Sequence, residues 1–339
     1  MTFWTEGGRT VGMGHLSRCV NIARALKTLC VPFNFLVNDE KCVIERLEAE
    51  GFEYATAQLT VGSADAVTGN VVVIDTKKEL GGLTGLLKAA GKRVVSIDNT
   101  TAAGADSVIV PSAFFRGDGK DGVVGGSDYL VIGENFQRER KRFSVNHSLT
   151  PFRVLVTMGG ADPFNITELV VNALEQISGI EVTVVMGPAF RPSHFLEKFI
   201  ERKKPAFRFL SNVADMAPLM RSSHIAFTAV GTTVYELAYL GVPSVLISNY
   251  PGDESDLREL KDLGVSFVLG YFKDVTAPMI RGAVKGLMKR STLLEVMSGK
   301  ASSLTDGRGA SRIAGIIADL AARDFTAGAK GILDEVRHA

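Results

Sequence analysis

The chain has 339 residues, with 38 Lys and Arg against 37 Asp and Glu, and a formal net charge of +1. That length suits about two domains, and the near-zero balance offers no global basic field for nucleic acid or an anionic membrane surface. A 46% hydrophobic share with 35 glycines excludes disorder and suits an α/β protein rich in tight strand-to-helix turns.

Short β-branched runs at 2–5, 33–37, 71–75, 93–97 and 107–110 predict strands, with helices over 16–29, 39–50 and 78–90 between them. This is the rhythm of one doubly wound domain. A charge-dense stretch from 137 to 150, containing Arg138-Glu139-Arg140-Lys141-Arg142 and ending at Pro151, reads as an exposed linker. The alternation restarts with strands at 153–157, 182–186, 207–210, 225–228 and 244–247, which predicts a second open α/β domain. An amphipathic helix is expected over 308–322, and 326–339 reads as a frayed tail. The expected division is therefore an N-terminal domain at 1–140, a C-terminal domain at 151–305, a helix at 306–325 and the tail. Two such domains would face a central cleft at the carboxyl ends of their sheets, where ligands of doubly wound folds bind.

Cys19, Cys30 and Cys42 include no Cys-x-x-Cys pair, so no zinc or disulfide framework is expected. The N-terminus lacks a basic segment with an apolar run behind it, and no apolar run approaches ~18–20 residues, so the expectation is a cytoplasmic protein with no integral membrane segment. Metal ligation has no motif to support it, and no cofactor is expected. His147, His194, His224 and His338 stand apart from any such pattern and read as structural or solvated.

Three loops at strand ends could carry chemistry. In the first, Gly12 and Gly14 allow close backbone approach to a ligand, and His15 falls at the start of a helix, whose positive dipole end favours a neutral imidazole able to accept a proton. A turn with a polar cap explains the same letters. A dinucleotide fingerprint is not met, since Ser17 stands where a third glycine is needed. In the second, Gly159, Gly160 and Asp162 precede Pro163 at the opening of a helix, and could cradle a diphosphate or simply turn and cap. In the third, Gly231, Thr232 and Thr233 offer donors to phosphate and Glu236 could accept ribose hydroxyls. The competing reading makes Thr233-Val234-Tyr235-Glu236 a capping box. Asp75 and Asp98 end strands of the first domain and could orient His15 or bind sugar hydroxyls, or form turns.

These loops together are where a resemblance emerges. Gly12-Met13-Gly14-His15-Leu16-Ser17-Arg18-Cys19 matches a Gly-x-Gly-His-x-x-Arg-Cys pattern. The chain resembles the pseudaminic-acid pathway UDP-sugar hydrolases, also called spore-coat polysaccharide protein G-like, within the GT-B group that includes the MurG-type glycosyltransferases. The resemblance spans nearly the whole chain and implies a GT-B-like fold of two Rossmann-type domains. It implies His15 as general base, with Gly12, Gly14, Arg18, Asp75, Asp98 and Tyr129 on the sugar side. Gly159, Gly160, Asp162, Gly231, Thr232, Thr233, Glu236, Glu254 and Ser255 would be on the nucleotide side. Glu254-Ser255-Asp256 stands where the family shows Glu-Asn-Gln, Lys77 where it shows tyrosine, and Gly133 where it shows arginine, so the sugar pocket is altered.

The leading expectation is a monomeric, metal-independent UDP-sugar hydrolase releasing UDP and a free amino or deoxy sugar in surface polysaccharide or nonulosonate biosynthesis. A GT-B glycosyltransferase using the same donor, and a nucleotide-sugar binding protein without turnover, are the alternatives.

Overall fold

The structure is a computed structural model that describes residues 1–117, 119, 121–141 and 150–322. It divides into two compact units. The first comprises Met1–Gly7, His15–Val131 and the described residues from Arg308 on, and the second comprises Gly8–Gly14 and Ile132–Gly307.

The first unit is built on a seven-stranded sheet of order β3-β2-β1-β4-β5-β6-β7. Its strands are β1 (Thr2–Thr5), β2 (Asn34–Val37), β3 (Tyr54–Thr56), β4 (Val71–Asp75), β5 (Arg93–Ile97), β6 (Ser107–Val110) and β7 (Val123–Gly125). All pairings are parallel. Parallel strands need covered faces, and helices α1 (Gly14–Thr28), α2 (Lys41–Glu50) and α3 (Gly81–Ala89) are the crossovers. Successive residues of a strand point to opposite faces. Trp4, Leu36, Val72 and Ile74 accordingly join Leu83 and Leu87 of α3 in one core layer, while Phe3 and Phe35 stack at 5.0 Å on the other face. Each such fully buried side chain contributes roughly 1.5–3 kcal/mol.

The second unit repeats the plan with six parallel strands in the order β10-β9-β8-β11-β12-β13. These are β8 (Phe152–Val156), β9 (Ile180–Met186), β10 (Phe207–Ser211), β11 (Ile225–Thr228), β12 (Ser244–Ser248) and β13 (Ser266–Tyr271). Period-2 alternation again divides the core. Val154, Val156, Phe227, Val245 and Ile247 pack with Val170, Leu174, Ile280 and Val284. Leu155 and Ala226 pack on the opposite face with Met220, Leu237 and Leu240.

The predicted strands are all present, with ends shifted by no more than two residues. Three strands were not predicted: β3 and β7 are short, with three residues each, and β13 is a six-residue edge strand with a register shift opposite Leu246 and Ile247. The stretch read as a linker begins instead as helix α4 (Glu134–Lys141), because Ile132 and Phe136 are buried in the second unit's core and draw the segment into regular structure. The remainder of that stretch, 142–149 with His147, lies outside the described residues, as do the tail and His338. Residues 309–322 are helical.

In both sheets the chain reverses its winding direction between the first strand and the fourth, at β1/β4 and at β8/β11. In doubly wound sheets the carboxyl edge at such a reversal is the usual ligand position. His15 and Asp75 follow β1 and end β4. Gly159–Gly160 and Gly231–Thr233 follow β8 and β11.

Candidate functional site

Helix α1 begins at Gly14, so His15, where the chain re-enters the first unit, is its second residue. Residues three and four apart share a helix face, and the spacing from His15 to Arg18 and Cys19 therefore lines all three along one stripe. That stripe meets the end of β4. His15 Nδ1 lies 2.7 Å from Asp75 Oδ1, Arg18 Nε donates to Asp75 Oδ2 and Arg18 Nη2 to Asp75 Oδ1, both at 2.7 Å. The Cys19 thiol donates to Asp75 Oδ2 at 3.7 Å. Arg18 also reaches Asp98, its Nη1 donating to Oδ2 at 3.0 Å. Asp98 adopts a left-handed φ of 60°, a conformation short polar residues tolerate, directly after β5.

Asp75 is fully buried and Arg18 is 7% exposed. Burial alone would push the Asp75 carboxyl up, but the Arg18 charge and then His15 outweigh it and hold it down to about 2. Arg18 is likewise held charged, the two aspartates outweighing its burial. Burial, with Asp75 beside it, pushes the Cys19 thiol well above its usual range, so Cys19 is an inert neighbour. An ionised carboxylate only accepts hydrogen bonds. His15 Nδ1 therefore carries the proton it shares with Asp75, and in the neutral form of the ring the lone pair is then on Nε2. Arg18 Nη2 lies 3.5 Å from the same Nδ1, a contact with no acceptor left to fill. Asp75, rather than the helix dipole, sets the imidazole's tautomer.

Arg18 was expected on the sugar side, and the structure uses its guanidinium internally, as the counter-ion of Asp75 and Asp98. Gly12 has φ +75°, open only to glycine without strain, and Gly8 N–H donates to Gly12 O at 2.9 Å to close the loop before α1. Tyr129 sits in a 3₁₀ turn (Ser127–Tyr129) after the edge strand β7, three strands from β4, and no hydrogen bond ties it to this network. Sequence reasoning overlooked Glu6. It directly follows β1 as Asp75 ends β4, accepts from Thr76 Oγ1 at 2.5 Å and pairs with Lys78 at 2.6 Å. An acid at a strand end was the available signal.

In the second unit, Gly159 has φ +80° and Gly160 has no room for a side chain: a Cβ there would lie 2.7 Å from Met13 Cγ. Gly187 is equally confined, since its Cβ would come within 2.5 Å of the Gly159 and Gly160 carbonyl oxygens. The helix after this turn, α5 (Ile166–Leu174), starts later than Pro163. Asp162 and Asn165 both take left-handed φ and delay it. Asp162 is buried, and its two carboxylate oxygens accept from the Ile166 and Thr167 amides at 2.9 and 2.8 Å. The carboxylate expected to face a nucleotide is thus occupied at the start of α5.

The third loop corrects a sequence alternative. Helix α8 (Thr232–Tyr239) is capped by Gly231 and no side chain caps it, so Thr233 and Glu236 form no capping box. With the cap one residue before Thr232, Glu236 lies in the second turn, too far along to reach back. The first-turn amides of Thr232 and Thr233 are the donors that helix geometry leaves unpaired. No hydrogen bond or ion pair holds the Glu236 carboxylate among the described residues, and burial pushes it up to about 7. A Cβ on Gly14 would lie 3.9 Å from Thr232 Oγ1, which places the Gly8–Gly14 loop beside α8 in this unit. Glu254 and Ser255 open α9 (Glu254–Leu263) and are exposed, Glu254 accepting from Arg258 at 3.1 Å. Among the described residues no group of three or more His, Cys, Asp or Glu is placed to hold a metal, and no helix is long and apolar enough to cross a membrane.

No protein-family model matches the chain. It is 23% identical over 334 residues to the spore coat polysaccharide biosynthesis protein SpsG of Bacillus subtilis, covering 94% of this chain and 97% of that one. An uncharacterised protein of Methanocaldococcus jannaschii is 25% identical over 262 residues, 72% of this chain and 54% of its own length. Among solved structures, MurG of Acinetobacter baumannii superposes with a TM-score of 0.66 at 14% identity, covering 94% and 99% of the two chains. MnaA of S. aureus, solved with UDP, gives 0.64 at 12% identity, covering 92% and 94%. The fold is GT-B-like, with two Rossmann-like domains.

Two measurements test these electrostatics. The Asp75 carboxyl is depressed in the folded chain, so its stabilisation is complete above the unfolded value of about 3.9 and is lost as pH falls through about 2. Urea unfolding should show wild type losing about 2 kcal/mol more than Asp75→Asn between pH 4.5 and pH 2; parallel curves contradict the network. Glu236 is raised, so wild type pays an ionisation penalty that is absent below about 4.3, grows with pH and is complete above about 7. Glu236→Gln should therefore gain about 3 kcal/mol over wild type between pH 4 and pH 8, and no relative gain would mean the carboxylate has a partner.

Proposed function

We propose that this protein is an enzyme of polysaccharide biosynthesis that breaks the anomeric C–O bond of a UDP-sugar. The observation that carries the reading is the His15–Asp75–Arg18 network at the winding reversal of the first sheet, which engages the imidazole through Nδ1 and leaves Nε2 outside the network. In the neutral ring the lone pair on that nitrogen is a general base awaiting a hydroxyl. His15 Nε2 takes the proton of the nucleophile, the nucleophile's oxygen bonds to the anomeric carbon, and the C–O electron pair leaves with UDP.

The second unit would hold the nucleotide. Its unpaired Thr232 and Thr233 amides and the Gly159–Gly160 turn suit a diphosphate, whose charge is met by helix and loop donors. Glu236 suits the ribose hydroxyls, because its carboxylate is unoccupied and gains donors on binding. The near-neutral net charge agrees with amide rather than lysine or arginine recognition.

The nucleophile is read first as a sugar hydroxyl, making the protein a glycosyltransferase. Similarity to SpsG, to MurG and to a spinosyn rhamnosyltransferase bound to thymidine diphosphate supports this. Hydrolysis, with water in the same place, is the second reading and is favoured by the Gly-x-Gly-His-x-x-Arg-Cys resemblance.

Incubation with UDP-, GDP-, CMP- and dTDP-sugars, with and without acceptor glycans, followed by mass spectrometry of products, tests the proposal. UDP should appear from at least one UDP-sugar, with acceptor dependence marking transfer. His15→Ala should slow its release about 10²–10⁴-fold. Equal rates for His15→Ala and wild type would sink the mechanism.

A further inference from the structure

Polar groups buried without partners are rare in folded proteins, since each gives up its hydration with no bond in exchange. Four such side-chain atoms occur among the described residues, and two lie at one edge of the second sheet. Thr228, the last residue of β11, is 1% exposed, yet its Oγ1 has no hydrogen bond. Asn249, the first residue after β12, has a buried Oδ1 that accepts none. These strands are paired neighbours, Thr228 standing opposite Leu246. At the other end of β12 the buried hydroxyls are satisfied, Ser244 and Ser266 bonding each other at 2.6 Å. The unsatisfied groups therefore collect at the carboxyl edge, where Glu236 also stands without a partner on the helix that follows β11.

The three groups share a chemistry. An ionised carboxylate and an amide oxygen only accept, and a threonine hydroxyl can do either. Phosphate oxygens, being acceptors, could take the Thr228 proton but would satisfy neither the carboxylate nor the amide oxygen. O–H donors would. We infer that Thr228 and Asn249 join Glu236 in a hydroxyl-recognising subsite, which takes O–H groups from a sugar ring of the substrate, either the ribose or the transferred sugar. The inference rests on the nucleotide-sugar reading and extends it, separating this subsite from the amides suited to the diphosphate. The cost of the orphaned groups in the empty protein is recovered when the hydroxyls bind, the trade of stability for function common at binding sites.

The test uses Thr228→Val, which preserves shape and deletes the hydroxyl, and Asn249→Leu, with UDP and UDP-N-acetylglucosamine as calorimetric probes. Each variant should bind UDP-N-acetylglucosamine at least tenfold more weakly than wild type. An equal loss with UDP assigns the ribose, and a loss confined to the nucleotide sugar assigns the transferred sugar. Without ligand, the Tm of Thr228→Val should stay level or rise, because no bond is lost. Unchanged affinity in both variants, or a lowered Tm for Thr228→Val, overturns the subsite, the latter by showing that a structural bond held the hydroxyl. Wild-type protein that binds neither probe overturns the nucleotide-sugar reading and the subsite with it.

Discussion

Arg18 carries its charge where almost no water reaches it, and it can do so only because Asp75 and Asp98 bracket its guanidinium. Removing one partner of a buried pair typically costs about 3–5 kcal/mol, since the other is left uncompensated. The arrangement around His15 depends on this constraint. Asp75 stays ionised in a fully buried position because Arg18 meets both of its oxygens, and an ionised Asp75 fixes where His15 keeps its proton. A neutral carboxyl at the same place could accept or donate, and the imidazole would lose its single orientation. Position and protonation are thus one problem here, solved by a helix stripe that sets His15, Arg18 and Cys19 against one strand end.

The second unit shows the opposite economy. Where the first unit satisfies its buried charges internally, the second leaves Glu236, Thr228 and Asn249 without partners at the edge of β11 and β12. Asp162 shows what the same unit does when a carboxylate is structural, with both oxygens held by backbone amides. The contrast within one sheet edge separates groups that hold the fold from groups that await something.

Much of this was legible beforehand. The central strands were visible because they are buried on both faces and read as β-branched runs, whereas β3 has an exposed, three-residue sequence with no such run. Asp75, Asp98 and His15 could be proposed as neighbours because strand ends in a doubly wound sheet share one edge. Arg18 was also in the motif, but its letter could not reveal that its guanidinium points inward. That depends on the helix phase that buries it against β4. The capping box failed for a similar reason: a shift of the α8 cap to Gly231 moves Glu236 beyond reach of the first turn. Thr228 and Asn249 carried no signal at all, since an unmet hydrogen bond is a property of packing and not of spacing.

The central claim is that Asp75 holds His15 as the Nδ1-protonated tautomer with Nε2 free. Long-range ¹⁵N–¹H correlation spectra of the ligand-free protein, with imidazole nitrogens labelled, report this directly. The chain has five histidines, and loss of one signal set in His15→Gln assigns the ring. Above neutral pH the account predicts a protonated, pyrrole-type Nδ1 and a bare, pyridine-type Nε2. A proton on Nε2 with Nδ1 bare would contradict it.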